Sequence, residues 1–387
     1  MKLSKNCFAA SRKVKCIYFL LDFYHFFLTR FFFWKNKPSR QAPQKILLAN
    51  WGALGDVVLS SGVIAVIRTK FPECKIGFLV SKKSKIALES CPPVDWVHEA
   101  DSWLAPGRSF WKNGLNYLHF LLTQQRRLAK ELSQIKYDIA IELRPFLPNV
   151  IPLLWNAGIP VRIGFSSSGN SRLLNQTIEW HSQDYLPYCY PSLLKKLDIL
   201  LTDPDQILPK ISSNSLSPLL AKWPYLLFHL CSSDDRKELP LDFWRSLRCK
   251  CEQAGYKVYF TGMGNREKEN IDKVAKDNEF NLCNRLDWKQ LVQHIQSAQG
   301  IVSVDSVPIH LAAALDVSCA AIFRNTNYSH LWKPNRTTTR IFEFKDNNIC
   351  ENVFETIKEW MSETQTDLNK NLKLNDELQT NNLHSNL

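Results

Sequence analysis

Several things are missing from this 387-residue sequence, and each absence removes a class of protein. No Cys-x-x-Cys pair occurs among its eleven cysteines. Cys7, Cys16, Cys74, Cys91, Cys189, Cys231, Cys249, Cys251, Cys283, Cys319 and Cys350 are scattered and odd in number, which argues against a disulfide framework or a zinc site and for a reducing compartment. No apolar run reaches the about 20 residues that a spanning helix needs. The nearest, Ile17 to Trp34, is 18 long and broken by Asp22, His25 and Arg30. No small-residue cleavage site follows it, and no short internal repeat is visible. Acid is almost absent from residues 1–45, where Asp22 stands alone against ten Lys/Arg.

What is present is ordinary globular material, 45% apolar and 22% charged, long enough for two medium domains. Of the net charge of +12, residues 1–45 carry +9, so the remaining 342 residues share only +3. Nucleic-acid binders spread basic charge over a folded face, whereas here it sits on an appendage, so no nucleic-acid partner is expected. Lys15, Tyr18, Asp22, His25 and Thr29 follow helical spacing on one face of that appendage and leave Phe and Leu to the others. Residues 1–44 therefore predict an amphipathic helix lying in a membrane surface, its Lys/Arg on anionic headgroups. An uncleaved signal anchor and a helix docked on the body are the alternatives. Beyond Trp360 the chain turns polar and Asn-rich, and 362–387 predict a disordered tail.

The body alternates strand and helix patterns. Lys45 to Asn50 reads as a buried strand, Gly52 to Asp56 as a glycine turn, and Val57 to Lys70 as a helix. Strands are predicted at Lys75 to Val80, Trp96 to His98, Asp138 to Leu143 and Arg162 to Phe165, with helices at Ser84 to Ser90 and Gly114 to Ile135. A Pro/Ser-rich stretch from Asp203 to Pro224 reads as interdomain chain. Beyond it, strands are predicted at Tyr225 to Leu230, Lys257 to Thr261, Ile301 to Val304 and Cys319 to Phe323. Helices are predicted at Asp242 to Ala254, Ile271 to Asn278, Trp288 to Ala298 and from His310 to Leu315. The expected architecture is α/β: a Rossmann-like domain over 45–205, a linker over 206–224 and a second Rossmann-like domain over 225–361, facing each other across a cleft.

Open α/β sheets bind ligands at the carboxyl ends of their strands, and three loops there carry reactive side chains. In the first, Gly52 and Gly55 allow a sharp turn and close approach to a ligand, and Asp56 falls at a helix start that keeps a carboxylate ionised, as a base or hydroxyl clamp would need. Asp is also a favoured N-cap, so the same residue could serve structure alone. The loop is too short for Gly-x-Gly-x-x-Gly and lacks the Lys-Ser/Thr of a triphosphate loop. The second is Asp305-Ser306-Val307-Pro308-Ile309-His310, where Ser306 can cap a helix whose open amides suit a diphosphate and His310 lies one turn in. The third is Cys231 to Pro240, where Ser232 and Ser233 supply hydroxyls and Arg236 and Lys237 could neutralise a leaving phosphate. Lys82, Lys83, Lys85 and Arg144 follow strands of the first domain, where acidic sugars of an acceptor could meet them, although solvated surface is the commoner fate of such lysines.

In this order the pieces resemble glycosyltransferase family 9, the lipopolysaccharide heptosyltransferases, over roughly 45–345. Gly52 to Asp56 resembles the family's G-x-L-G-D signature, and Pro93-Val94-Asp95 its proline-x-aspartate element. Asp305, Ser306 and His310 to Ala314 resemble its D-[ST]-G-x-x-H-L-A-A-A motif, and Lys237 before Pro240 its K-x-W-P element. Trp332-Lys333-Pro334 is similar to its tryptophan-x-proline. The resemblance implies a GT-B fold and an inverting, metal-independent transfer from an ADP-sugar, a substrate and not a cofactor. It implies Asp56 as general base, Lys237 on the leaving diphosphate, Ser306 and Ser232 on the phosphates, and Asp305 and His310 lining the donor pocket. Glu267 would contact the ribose and Arg144 the acceptor, a Kdo-lipid A-like glycolipid at the cytoplasmic face of the inner membrane. Val307 replaces the family's glycine, Leu239 its tryptophan, and Arg324-Asn325-Thr326 its Gly-Pro-Thr turn. These departures leave a catalytically inactive sugar-nucleotide or glycan-binding homologue as the alternative.

Overall fold

The computed structural model describes Phe23 and residues 42–100, 115–116, 119–120, 123–146, 149–168, 170–181, 185–212, 224–277, 280–324, 329–345 and 348–362. Of the expected amphipathic helix of 1–44, residues 1–41 lie outside these residues apart from the exposed helical Phe23, and 42–44 are not helical; Asn325, Thr326 and the tail beyond 362 also lie outside. The chain divides into two compact units. One is Met1–Ser215 together with His330–Trp332, and the other is Leu216–Ser329 with Lys333–Leu387.

The first unit is built on strands β1 (Lys45–Asn50), β2 (Lys75–Ser81), β3 (Trp96–Ala100), β4 (Ile139–Glu142), β5 (Val161–Phe165) and β6 (Gln176–Ile178). They form one parallel sheet in the order β3-β2-β1-β4-β5-β6. Helices α1 (Leu54–Lys70), α2 (Gln125–Ile135), α3 (Ile151–Asn156) and α4 (Tyr190–Leu194) complete it. Strand β1 is a continuous apolar run because a central parallel strand is covered on both faces. Asp95 pins the far end of α1. It pairs with Arg68 at 2.5 Å and with Lys75 at 3.1 Å, and accepts the Ile76 N–H at 2.8 Å.

The second unit contains β7 (Tyr225–His229), α5 (Leu241–Gln253), β8 (Lys257–Thr261), α6 (Asn265–Asp272), α7 (Trp288–Ser297), β9 (Gly300–Val304), α8 (Val307–Leu315), β10 (Cys319–Phe323) and β11 (Thr339–Glu343). Its sheet is also wholly parallel, in the order β11-β10-β9-β7-β8. Leu239, the replacement for the family's tryptophan, is buried in the core beside Phe243 and Trp244.

Four sequence expectations need correction. The segment expected as a helix at Ser84 to Ser90 is a 3-10 turn, Lys85–Ser90. The helix expected over Ile271 to Asn278 lies earlier, over Asn265–Asp272, directly after Gly264, whose φ is +107°. Only Ile271 of that helix is buried, so its charged sequence carries no apolar period to read. Helix α8 begins at Val307, with Pro308 in its first turn, rather than at His310. The half-exposed edge strands β6 and β11 were not expected at all, because short edges lack a buried run.

Candidate active site

In each sheet the strand order reverses at one point, where neighbouring loops diverge and leave a crevice. In the first unit that point lies between β1 and β4. The first turn of the helix after β1 carries Asp56 and the loop after β4 carries Arg144, and their side chains meet there, Arg144 Nη1 to Asp56 Oδ2 at 2.7 Å, with only 9% of the Arg144 and 12% of the Asp56 side chain exposed. Asp56 is the third residue of α1, and its Oδ2 also accepts the Ala53 N–H at 2.9 Å. The indole N–H of Trp332 reaches its Oδ1 at 3.3 Å. Burial alone would raise the carboxyl's pKa, but the Arg144 charge and the Ala53, Arg144 and Trp332 donors outweigh it and hold the group below its ordinary value. Asp56 is therefore an ionised acceptor, able to take a proton from a hydroxyl brought to it.

The support around this pair is local. Asn50 donates to the Asp56 carbonyl at 2.8 Å and accepts the Gly52 N–H at 3.2 Å. The hydroxyls of Ser81 and Ser84 hold the Gly52 carbonyl. A Cβ on Gly52 would overlap both Arg144 Nη1 and Asp56 Oδ2, so the residue is glycine to admit the ion pair. This corrects the expectation of a glycine-dependent turn: neither Gly52 nor Gly55 is in the left-handed region, and Gly55 sits inside the first turn of α1. Beneath Arg144, the fully buried Glu142 carboxylate accepts the Val150 N–H at 2.8 Å and the Arg144 N–H at 3.3 Å, fixing both ends of the loop. Burial pushes the Glu142 carboxyl up to about 7, although both amides and the Arg144 charge pull against it.

In the second unit the reversal lies between β7 and β9, and the loops there bring Lys237 and Asp305 together, Nζ to Oδ2 at 2.7 Å. Ser232 is buried beside them, its hydroxyl donating to the Asp305 carbonyl at 3.4 Å. Glu238 accepts the Ser232 N–H at 2.9 Å, and Arg266 bridges Glu238, at 2.6 Å, and the Ser232 carbonyl, at 2.8 Å. His310 is buried in the second turn of α8. The arrangement presents a cation held by a carboxylate beside a helix start, a combination that attracts phosphate oxygens.

Several expected details come out differently. Ser306 is the N-cap position of α8, but its side chain makes no cap bond. Pro308 has no N–H, and the Ile309 N–H is directed to the Ser306 carbonyl at 3.3 Å, so the amides the helix start can offer narrow to Ser306 and Val307. Arg236 is forked onto Asp234 at 2.8 and 2.7 Å and is largely exposed, which leaves Lys237 as the cation in place. Ser233 is exposed. Glu267 accepts the Met263 N–H at 2.9 Å just beyond β8, and burial raises its carboxyl's pKa against the pull of that amide and Arg266. Lys82 and Lys83 are exposed, and Lys85 pairs with Glu99 at 2.6 Å. Sequence reading missed Asn50, Glu142, Glu238, Arg266 and the reach of Trp332 to Asp56. Only the strand-end positions of Asn50 and Glu142 carried a signal for them.

Among the described residues no cluster of three or more His, Cys, Asp or Glu side chains is placed to hold a metal. None of the curated proteins compared with the chain matches it in sequence. Among solved structures, ADP-heptose LPS heptosyltransferase II of E. coli aligns at 19% identity with a TM-score of 0.66, covering 83% of this chain and 99% of its own. A family 9 glycosyl transferase from Veillonella parvula aligns at 19% identity with a TM-score of 0.66, over 83% and 97%. E. coli heptosyltransferase WaaC with ADP aligns at 16% identity with a TM-score of 0.61, over 83% and 98%. At such identities the likeness concerns the fold. The sequence model of glycosyltransferase family 9 matches residues 125–355, more than half of the chain, and the protein belongs to that family of heptosyltransferases.

Proposed function

We propose that the protein moves a heptose-like sugar, with inversion and without a metal ion, from an ADP-sugar to a lipopolysaccharide-core or similar glycolipid acceptor. The observation that carries this reading is the pairing of chemistries at the two strand-order reversals: an ionised carboxylate, Asp56, in the first unit, and a cation, Lys237, oriented by Asp305 in the second. The acceptor is assigned to the first unit and the donor to the second. In the step, the acceptor hydroxyl attacks the anomeric carbon, its proton passes to Asp56, and the bond from that carbon to the diphosphate oxygen breaks. ADP departs with the electron pair, and Lys237 with the Ser232 hydroxyl and the α8 amides stabilises the charge it gains. Asp305 and His310 line the donor pocket, and Glu267 holds the ribose. The ADP identity draws on the relatives: WaaC of E. coli was solved with ADP and with an ADP-linked fluoroheptose. A lipid-borne acceptor is confined to a membrane, which is the reason to assign residues 1–44 to the cytoplasmic face of the inner membrane.

The test is ADP release by the purified full chain from ADP-heptose in the presence of a Kdo-lipid A acceptor, alongside thermal shifts with ADP-, UDP-, GDP- and CMP-sugars. Transfer with the largest stabilisation from the ADP-sugar supports the reading. Stabilisation without transfer points to a binding protein that has kept the fold, and no stabilisation by any nucleotide sugar overturns the reading.

A further inference from the structure

We propose that Trp180, Phe146 and Trp332 form a stacking platform for a pyranose ring of the acceptor, set beside Asp56. The proposal rests on the assignment of Asp56 as the base, and it adds a binding subsite for a sugar ring to that assignment. The three rings come from separate stretches of the first unit. Phe146 lies in the loop after β4, Trp180 two residues beyond β6, and Trp332 in the 3-10 turn Ser329–Trp332. Phe146 is the middle ring, with centroids 6.2 Å from Trp180 and 5.9 Å from Trp332.

Two properties separate this cluster from ordinary core. Trp180 and Trp332 are both half-buried, whereas Trp51 and Trp244 are enclosed at 2% and 0% exposure. The cluster also ends on polar groups already tied to the base. The Trp332 indole N–H donates to Asp56 Oδ1 at 3.3 Å, and the Arg144 guanidinium lies 4.7 Å over the Phe146 ring while holding Asp56 Oδ2 at 2.7 Å. A pyranose has a matching division, with an apolar C–H face that gains from aromatic surface and a rim of hydroxyls that need donors and acceptors. A ring laid on these indoles has its hydroxyls beside the Asp56–Arg144 pair, which is where a reacting hydroxyl must be. The rings are tilted to one another, by 62° between Phe146 and Trp180 and 57° between Phe146 and Trp332, so each indole offers its own face, and an aromatic wall of this kind ending at a carboxylate favours a sugar over an aliphatic alcohol.

The experiment is acceptor kinetics of the full chain, with ADP-heptose as donor and a deacylated Kdo-bearing core oligosaccharide as the acceptor probe. Trp180→Ala and Trp180→Leu are expected to raise the acceptor KM about tenfold. The donor KM and the thermal midpoint should stay put, and Trp180→Phe should recover most of the loss. Trp332→Phe keeps a ring but loses the N–H to Asp56, so kcat is expected to fall more than KM changes. Transfer with an unchanged acceptor KM in both Trp180→Ala and Trp180→Leu overturns the platform and leaves the base assignment standing. No transfer by the wild type overturns the functional reading, and the platform with it. Equal loss in Trp180→Phe and Trp180→Ala also overturns the platform, because stacking does not require an indole.

Discussion

Asp56 is a base candidate whose every oxygen is already engaged, and that engagement sets what a substitution does. Asp56→Asn keeps the shape and removes the charge, so turnover is expected to fall by about 10²–10⁴ while an ADP-sugar still raises the melting temperature. Unchanged turnover with a matched acceptor rejects the assignment. The same variant leaves Arg144 buried without its counter-charge, at a cost on the order of 3 kcal/mol, which denaturation will register separately from rate. Glu142 behaves oppositely with pH. The folded pKa of Asp56 is lowered, so its contribution is present through neutrality and is lost only as pH falls in the acid range. Glu142 is pushed up to about 7 from 4.5, so the folded state binds the extra proton. Its contribution is complete below pH about 4.5 and is lost as pH rises through 7. Wild type is therefore expected to be more stable relative to Glu142→Gln at pH 5 than at pH 8, by up to about 3 kcal/mol in urea denaturation. A difference that does not change with pH shows that Glu142 is ionised throughout.

At the scale of elements, the strand–glycine–helix unit from Lys45 to Lys70 was legible because a fully buried strand is a continuous apolar run and Asp56 stands where the next helix opens. The reason for Gly52 was not legible. It depends on Arg144, which arrives from β4 and pairs with Asp56 across 88 positions of sequence. Gly52→Ala is expected to displace that pair, lose activity as Asp56→Asn does and destabilise by about 1–3 kcal/mol. An active, equally stable Gly52→Ala variant shows that the loop relaxes around a methyl group. Helix α6 and strands β6 and β11 escaped sequence reading for the opposite reason: they are only partly buried, so no run of buried apolar residues marks their period. The Lys237–Asp305 pair was half legible. Each residue stood in a motif, but their contact, which makes the lysine an oriented cation, follows from β7 and β9 being neighbours in the sheet.

At the scale of the molecule, two parallel sheets each supply one reversal point, and the chain commits residues from late in the sequence to the first unit. His330–Trp332 packs with that unit, and Trp332 reaches Asp56 across 276 positions. For the basic, aromatic segment of 1–44 we propose a different physical role, attachment to a membrane surface. Deleting residues 1–40 is expected to move the protein from the membrane pellet to the supernatant with the melting temperature of the body unchanged; a truncated protein that still pellets defeats the anchor. The sequence by itself determined the alternation of buried strands and helices, the confinement of charge to one end and the loops in which Asp56, Lys237 and Asp305 fall. These are properties of neighbouring residues, and they survive reading in one dimension. Only the tertiary structure decided that Arg144 and Trp332 share one carboxylate, that Asp305 holds Lys237 and that Gly52 must lack a side chain, because strand order, not sequence separation, determines which loops meet.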